Sequence, residues 1–240
     1  MHLSIIIPAY NEEKRITKTL EEIDRYISKQ AYDYEIIVAS DGSKDRTADV
    51  VKNLASRIKN LTCIDDKENH GKGYAVRQGL LAAKGDFRLF TDADNSTSID
   101  QVEKMWPEVK NGYDIVIGSR DIKGAVLDPP QPWIRNIILG EGFKLFRKIV
   151  IGLWGVEDTQ CGFKLLTKKA AENILPKCKI DRFAFDPEIL VIGKKMGLKI
   201  KEIPVYWKND LDSKVKMVSM VKMALDLFVI RKNSITGVYK

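Results

Sequence analysis

Two hydrophobic periods alternate along the first half of the chain. Residues 3–9 (LSIIIPA) form an unbroken apolar run, and Ile16, Leu20, Ile23 and Ile27 then recur at helical spacing. Asn11 stands where it would cap that helix, with Glu12 and Glu13 in the first turn. EIIVAS (35–40) reads as a second strand, followed by the turn SDGSKD and a helix through Val50, Leu54 and Ile58. LTCID, a helix from about Tyr74 to Ala83, DFRLFTDAD and YDIVIGS continue the alternation. Strands alternating with helices predict βαβ units with right-handed crossovers, hence an α/β fold whose mainly parallel sheet is flanked by helices. No repeat or low-complexity linker interrupts the pattern, so residues 1–240 read as one domain.

In such sheets ligands sit beyond the carboxyl ends of the strands. The polar clusters PAYNEE, SDGS, TDAD and GSRD all fall at such ends. Were the fourth strand extended through Asp94, Asp92 and Asp94 would face one ligand together. Hard oxygen ligands of this kind suit Mg²⁺ or Mn²⁺, with phosphate oxygens completing the shell; a polar surface turn is the alternative. In SDGS, Asp41 either bonds its own turn or meets a nucleotide, Gly42 suits positive φ, and Ser43 is placed to cap the next helix. NHGKGYAVRQG (69–79) is a glycine-hinged loop entering a helix, where Lys72 and Arg77 suit a diphosphate. It is not a P-loop, and His70 has no triad partners.

Charge divides the chain. Residues 1–130 carry 19 Lys and Arg against 22 Asp and Glu, a net of −3, and residues 131–240 carry 21 against 11, a net of +10. The basic half calls for an anionic partner or is a solvated surface. Cys63, Cys161 and Cys178 lack paired spacing, which argues against a disulfide framework or zinc site and for a reducing cytosol. MHLSIIIPAY reads as the first strand and not as a signal peptide.

Residues 133–155 (WIRNIILGEGFKLFRKIVIGLWG) and 217–232 (MVSMVKMALDLFVIRK) are rich in both apolar and basic residues. Neither offers the ~20 uninterrupted apolar residues of a membrane span. Both read as amphipathic helices that either lie in a membrane interface or pack on the sheet or a partner copy.

The ordered set PAYNEE, SDGSKDRT, NHGKGYAVRQG, TDADNST, GSR and DTQCGFKLL resembles family 2 glycosyltransferases of the Rossmann-like GT-A fold. DTQCGFK (158–164), RFAFDPEIL (182–190) and IPVYW…DSK (203–214) resemble the dolichyl-phosphate glucosyltransferases in particular, and the mannose synthases next. The resemblance runs from Ser4 to about Lys214. It implies a nucleotide-sugar-binding half (1–130) and an acceptor-binding, membrane-facing half (131–240). It assigns Pro8, Ala9, Tyr10, Glu12 and Asp41 to the nucleotide, Asp92 and Asp94 to metal and sugar diphosphate, and Arg120, Arg135, Ser213 and Lys214 to the acceptor phosphate. Asp158 and Gln160 are expected to line the acceptor side. Ser40 stands where members commonly carry the first of two acidic residues, and Ser96 where mannose synthases often carry Gln.

The resemblance therefore implies a metal-dependent, inverting transfer of a hexose, glucose from UDP-glucose before mannose from GDP-mannose, onto dolichyl or polyprenyl phosphate. A monophosphate with a second pKa near ~6 is already a dianion at neutral pH and needs no strong base. The expected setting is peripheral, at the cytoplasmic face of a membrane, with a separate anchoring partner or a homo-oligomer as options. A soluble family 2 enzyme acting on a hydroxyl would instead need a carboxylate base, for which Asp158 and Asp186 compete. A nucleic-acid-binding module would need aromatics interleaved with the basic charge, and here they sit in apolar helical patterns.

Overall fold

The computed structural model describes residues 2–129, 142–208 and 217–240, with the side chains of the last segment described from residue 221. Its centre is β1 (His2–Ala9), where Leu3, Ile5 and Ile7 point into one core and Ile6 into another. A strand covered on both faces has no solvent side, which is why the run is unbroken and not alternating. β2 (Asp33–Asp41), β3 (Leu61–Asp66) and β4 (Phe87–Thr91) join it in parallel. With β5 (Ile115–Ser119), β7 (Phe163–Thr167) and β8 (Ile200–Pro204) they make a seven-stranded sheet of order β3-β2-β1-β4-β7-β5-β8. β6 (Val126–Asp128) and β9 (Tyr206–Lys208) form a separate two-stranded ribbon.

One face of the sheet packs against α1 (Ile16–Ile27), α2 (Thr47–Leu54) and α4 (Trp106–Lys110). The other carries α3 (Lys72–Ala82), α5 (Gly142–Ile151), α6 (Lys168–Ile174), α7 (Phe185–Lys195) and α8 (Met217–Thr236). α3 lies so close to β1 that a Cβ on Gly79 would stand 2.4 Å from Cγ2 of Ile6. The strand order reverses between β1 and β4, the switch point at which doubly wound sheets leave a crevice.

The expected α/β fold holds; three local expectations change, and a strand whose direction the sequence left open completes the sheet. α1 begins at Ile16, so Asn11 is not its cap. Asn11 instead takes φ +55°, and its side-chain oxygen accepts from the Lys44 N–H at 2.8 Å. Ser43 likewise does not cap α2: its hydroxyl accepts from the Asn11 N–H, while Asp45 accepts from the Thr47 N–H at 3.0 Å. α2 stops at Leu54, although Ile58 is still buried. Finally, β7 runs antiparallel to both β4 and β5. Its first residue, Phe163, therefore pairs with Thr91, the last residue of β4, and the loop before β7 arrives at the edge where the parallel strands end.

The two apolar, basic segments are helical where described, and each is mixed in character. α5 buries Arg147 and Ile151 but exposes Leu145 and Ile149, with Trp154 exposed just beyond it. α8 buries Asp226, Leu227 and Ile230 and exposes Val221, Leu225, Phe228 and Val229. The two helices meet through Phe146 and Phe228, edge to face at 5.7 Å. No helix among the described residues is long and apolar enough to cross a membrane.

Gly79→Ala is expected to push α3 off the sheet and cost about 1–3 kcal/mol, the usual penalty for overfilling a packed core. Urea unfolding measures it, and an unchanged midpoint would show that α3 is not pressed on β1 as described.

Candidate active site

The carboxyl ends of β1, β2, β4 and β5 all open on one edge. Pro8 and Ala9 are buried there beside Ala39 and Ser40, and Tyr10 is exposed at the rim. Glu12 is buried and clamps Arg15 through two bonds of 2.8 and 3.0 Å, while its own N–H donates to Thr47 Oγ1. Asp41 ends β2, but its carboxylate does not bond its own turn. It accepts from the N–H groups of His70, at 3.0 Å, and Gly71, at 2.6 Å, so it fixes the loop that opens α3. Gly42 takes the expected positive φ, +64°.

That loop delivers Lys72, the first residue of α3, to Asp92, with Nζ 2.5 Å from Oδ1. Burial works against the lysine's charge, but Asp92, Asp186 and Asp94 outweigh it and hold its pKa above the usual lysine value. Arg77 does not join Lys72. It pairs with Asp181 at 2.5 Å and lies over the Tyr74 ring, so the expected pairing of the two cations on a diphosphate reduces to Lys72.

The two aspartates come together, though not through an extended strand. β4 stops at Thr91, and a turn follows, closed by the Asn95 N–H on the Asp92 carbonyl, with Asn95 at φ +54°. Asp94 accepts from the Ser96 N–H at 2.9 Å and has no cation within ion-pair distance among the described residues. Burial, and then repulsion from Asp92, raises its pKa above the ordinary carboxylate range. A half-buried carboxylate held next to another favours positive charge nearby. The donor set fits a hard divalent ion in that respect. Among the described residues no third acidic, His or Cys ligand joins the pair, which leaves positions open to substrate oxygens and water.

The antiparallel β7 supplies the floor. Gly162 sits against Asp92 so closely that a Cβ would fall 2.1 Å from its Oδ2. Two residues on, Lys164 is fully buried, lies 5.2 Å from the Phe90 ring centre, and is satisfied by the Asp186 carboxylate and the Cys161 carbonyl. Asp186, at the start of α7, is thereby taken up and is no open base.

The other candidates serve this loop. Asp158 is buried and accepts from Nε and Nη2 of Arg120 at 2.7 and 2.9 Å, and from the N–H groups of Arg120, Gln160 and Cys161. Burial alone would raise its pKa; the Arg120 guanidinium and these donors overcome that and hold it well below the usual range. Arg120 stacks on Trp207 at 4.7 Å. Asp158 and Arg120, both expected on the acceptor side, pair with each other and brace the 158–162 loop, with Asp158 buried and Arg120 partly exposed. Gln160 is half-buried, and its amide nitrogen has no hydrogen-bond partner among the described residues. Arg147, which sequence reasoning passed over, braces the same loop from α5 by donating to Thr159 and to the Glu157 carbonyl. A buried basic residue in an apolar helix was the available signal. Arg135, Ser213 and Lys214 lie outside the described residues. Cys161 is an inert packed thiol, its pKa pushed up to about 12 by burial and by Asp158.

Two outcomes are expected. Gly162→Ala should displace Asp92, weakening divalent-ion-dependent nucleotide binding about tenfold or more while the protein still folds, as titration calorimetry and circular dichroism would show. Asp158→Asn should cost about 3 kcal/mol, the low end for a broken buried pair because Arg120 keeps 23% of its side chain exposed. With the folded pKa below the unfolded one, this contribution is complete above about pH 4 and lost on acidification through the depressed value. Unfolding curves at pH 7 and pH 3 should thus show a wild-type advantage that shrinks at the lower pH.

Known proteins place this arrangement. The model of glycosyl transferase family 2 matches residues 4–175. A dolichyl-phosphate beta-glucosyltransferase of Trichomonas vaginalis is 40% identical over 95% of this chain and 70% of its own length. The enzyme of the same name from Homo sapiens is 34% identical over 99% of this chain and 77% of its own length. Among solved structures, mannosyl-3-phosphoglycerate synthase from Rubrobacter xylanophilus superposes with a TM-score of 0.70 at 18% identity, covering 99% of this chain and 76% of its own. Glucosyl-3-phosphoglycerate synthase from Mycobacterium tuberculosis, crystallised with Mn²⁺, UDP and glucosyl-3-phosphoglycerate, gives 0.69 at 17%, covering 97% and 79%. These superpositions show the GT-A fold. With the motif order and strand-end geometry, they lead to one assignment: the chain is a glycosyltransferase and belongs to glycosyl transferase family 2.

Proposed function

We propose that the enzyme transfers glucose from UDP-glucose to dolichyl or another polyprenyl phosphate, inverting the anomeric carbon. The likeness to dolichyl-phosphate beta-glucosyltransferases supplies the substrates. The pairing state of the carboxylates carries the chemistry. Asp158 is spent on Arg120 and Asp186 on Lys164, the two residues that a hydroxyl acceptor would need as base. A phosphate dianion needs neither, because it arrives deprotonated.

In this reading Pro8, Ala9 and Tyr10 border the nucleotide, and Asp41 shapes the loop beside it. Asp92 and Asp94 would hold Mg²⁺ or Mn²⁺ with the diphosphate; when bound, the ion supplies charge neutralisation for the leaving group. Lys72 offers a second cation to the same diphosphate, at the N-terminus of α3 where anions are favoured. Holding two anionic reactants in line is the protein's main task, and the buried Arg120–Asp158 and Lys164–Asp186 pairs keep the site rigid for it. Arg135, Ser213 and Lys214 stay the proposed grip on the acceptor phosphate. The exposed apolar side chains of α5 and α8, interleaved with basic residues, are proposed to rest in the cytoplasmic leaflet, where a polyprenyl chain would be reached.

Turnover of a panel of nucleotide sugars with a polyprenyl phosphate tests the reaction. UDP-glucose should be the best donor, chelation should stop the reaction, and Mg²⁺ or Mn²⁺ should restore it. Asp94→Asn should lower the rate about a hundredfold or more with an unchanged melting temperature. Transfer from no donor to lipid phosphate would refute the proposal. For the membrane face, Leu225→Glu combined with Phe228→Glu should weaken co-sedimentation with anionic vesicles about tenfold or more. Undiminished sedimentation would assign that face to another cover.

A further inference from the structure

A cleft of about 360 Å³ opens beside Lys72, walled by Asn69, His70 and Gly71 on one side, Arg182 and Phe183 on another, and Lys222, Met223 and Asp226 of α8 on the third. Neither the residues just before α7, Arg182 and Phe183, nor those of α8 have a part in the chemistry described so far. Asp226 is 5% exposed. Its Oδ1 accepts from Arg182 Nη2 at 3.0 Å, but its Oδ2 is buried with no hydrogen-bond partner among the described residues. A buried carboxylate oxygen left unpaired costs roughly 1–3 kcal/mol or more, so a donor in the cleft that draws this oxygen toward it would relieve the cost.

The chemistry of that donor can be narrowed. A phosphate, mostly deprotonated at neutral pH, would meet Asp226 as anion against anion, so the unpaired oxygen itself does not call for a phosphate. A metal ion would find one carboxylate already neutralised by Arg182 and ringed by Lys72 and Lys222. A hydroxyl suits both partners: it donates to Asp226 Oδ2 and accepts from the Arg182 guanidinium beside it. A carboxylate with an adjacent guanidinium presents acceptor and donor side by side, the complement of two neighbouring hydroxyls on a sugar ring. The cleft is lined by Lys72, which pairs with Asp92 and is the cation proposed to meet the diphosphate, and this contact is what links the cleft to the strand-end edge.

We infer that Asp226 and Arg182 form the hexose subsite, binding hydroxyl groups of the donor sugar. This rests on the nucleotide-sugar reading and adds to it the residues that recognise the sugar. α8 would then join sugar recognition on its inner flank to the exposed apolar stripe of Val221, Leu225, Phe228 and Val229 on its outer one.

The test compares binding of UDP-glucose and of UDP to the full chain in the presence of Mg²⁺. For Asp226→Asn and, separately, for the more exposed Arg182→Gln, UDP-glucose should bind about tenfold more weakly while UDP binds as in the wild type. Donors with a single hydroxyl replaced by hydrogen should identify the contact: against one such deoxy donor the variants and the wild type should differ little. Equal weakening of UDP and UDP-glucose, or no weakening of either, would overturn the inference and leave the proposed reaction standing. A wild-type protein that binds neither ligand would overturn the nucleotide-sugar reading, and the inference with it. Melting temperatures guard against misfolding of the buried Asp226 variant, and Arg182→Gln decides the matter if Asp226→Asn does not fold.

Discussion

Everything at the strand-end edge depends on the repulsion between Asp92 and Asp94. Two carboxylates brought together with partial loss of water raise each other's free energy, and a fold that keeps them there must surround them with positive charge. The chain does this in two tiers. Lys72 meets Asp92 directly, across the opening of α3. Behind it, Lys164 and Asp186 cancel one another in the fully buried interior, so no net charge is left under the site. Of the two, Asp94 has no cation within ion-pair distance among the described residues, and burial, then Asp92, raises its pKa. The site is thus held ready for an incoming cation.

Topology makes the arrangement possible. Six parallel strands end on one edge, and a seventh, running back between β4 and β5, brings its leading loop to the same edge. Gly162 then fits against Asp92 where any side chain would collide with the carboxylate. The price of threading a loop through a buried position is its backbone polarity, and Asp158 meets it by accepting three N–H groups while its charge is matched by Arg120. Arg147 closes the loop from the α5 side. α5 and the aspartate that follows β4 are in this way fastened to one another through a single short segment.

How far the sequence announced this varies with the range of the interaction. β1, β2, β4 and β5 were legible because an apolar run covered on both faces is a local signal, and each ended in a polar cluster. The antiparallel sense of β7 was not, since FKLLT is apolar whichever way it runs. Asn11 and Ser43 look like helix caps in their own neighbourhoods, yet they bond to each other's loops some thirty residues away, a pairing no local rule contains. Arg120 and Asp158 are placed on the acceptor side by resemblance, and nothing local in the sequence shows that they also pair with each other. Lys164 was the overlooked clue. A lysine inside an apolar strand must find a buried anion, and asking which one leads to Asp186. Asp226 in the apolar α8 poses the same question, and there the answer is only half filled by Arg182.

The central claim is that Asp92 and Asp94 alone are too few to hold a divalent ion firmly and do so together with a diphosphate. Titration of Mn²⁺ into the full chain, followed by electron paramagnetic resonance with and without UDP, tests this directly. The account predicts weak binding alone and strong mutual enhancement when both are present, with UDP affinity raised by Mn²⁺ by the same factor, as linkage requires. Mn²⁺ binding that is equally tight with and without UDP, or undiminished in Asp94→Asn, would contradict it.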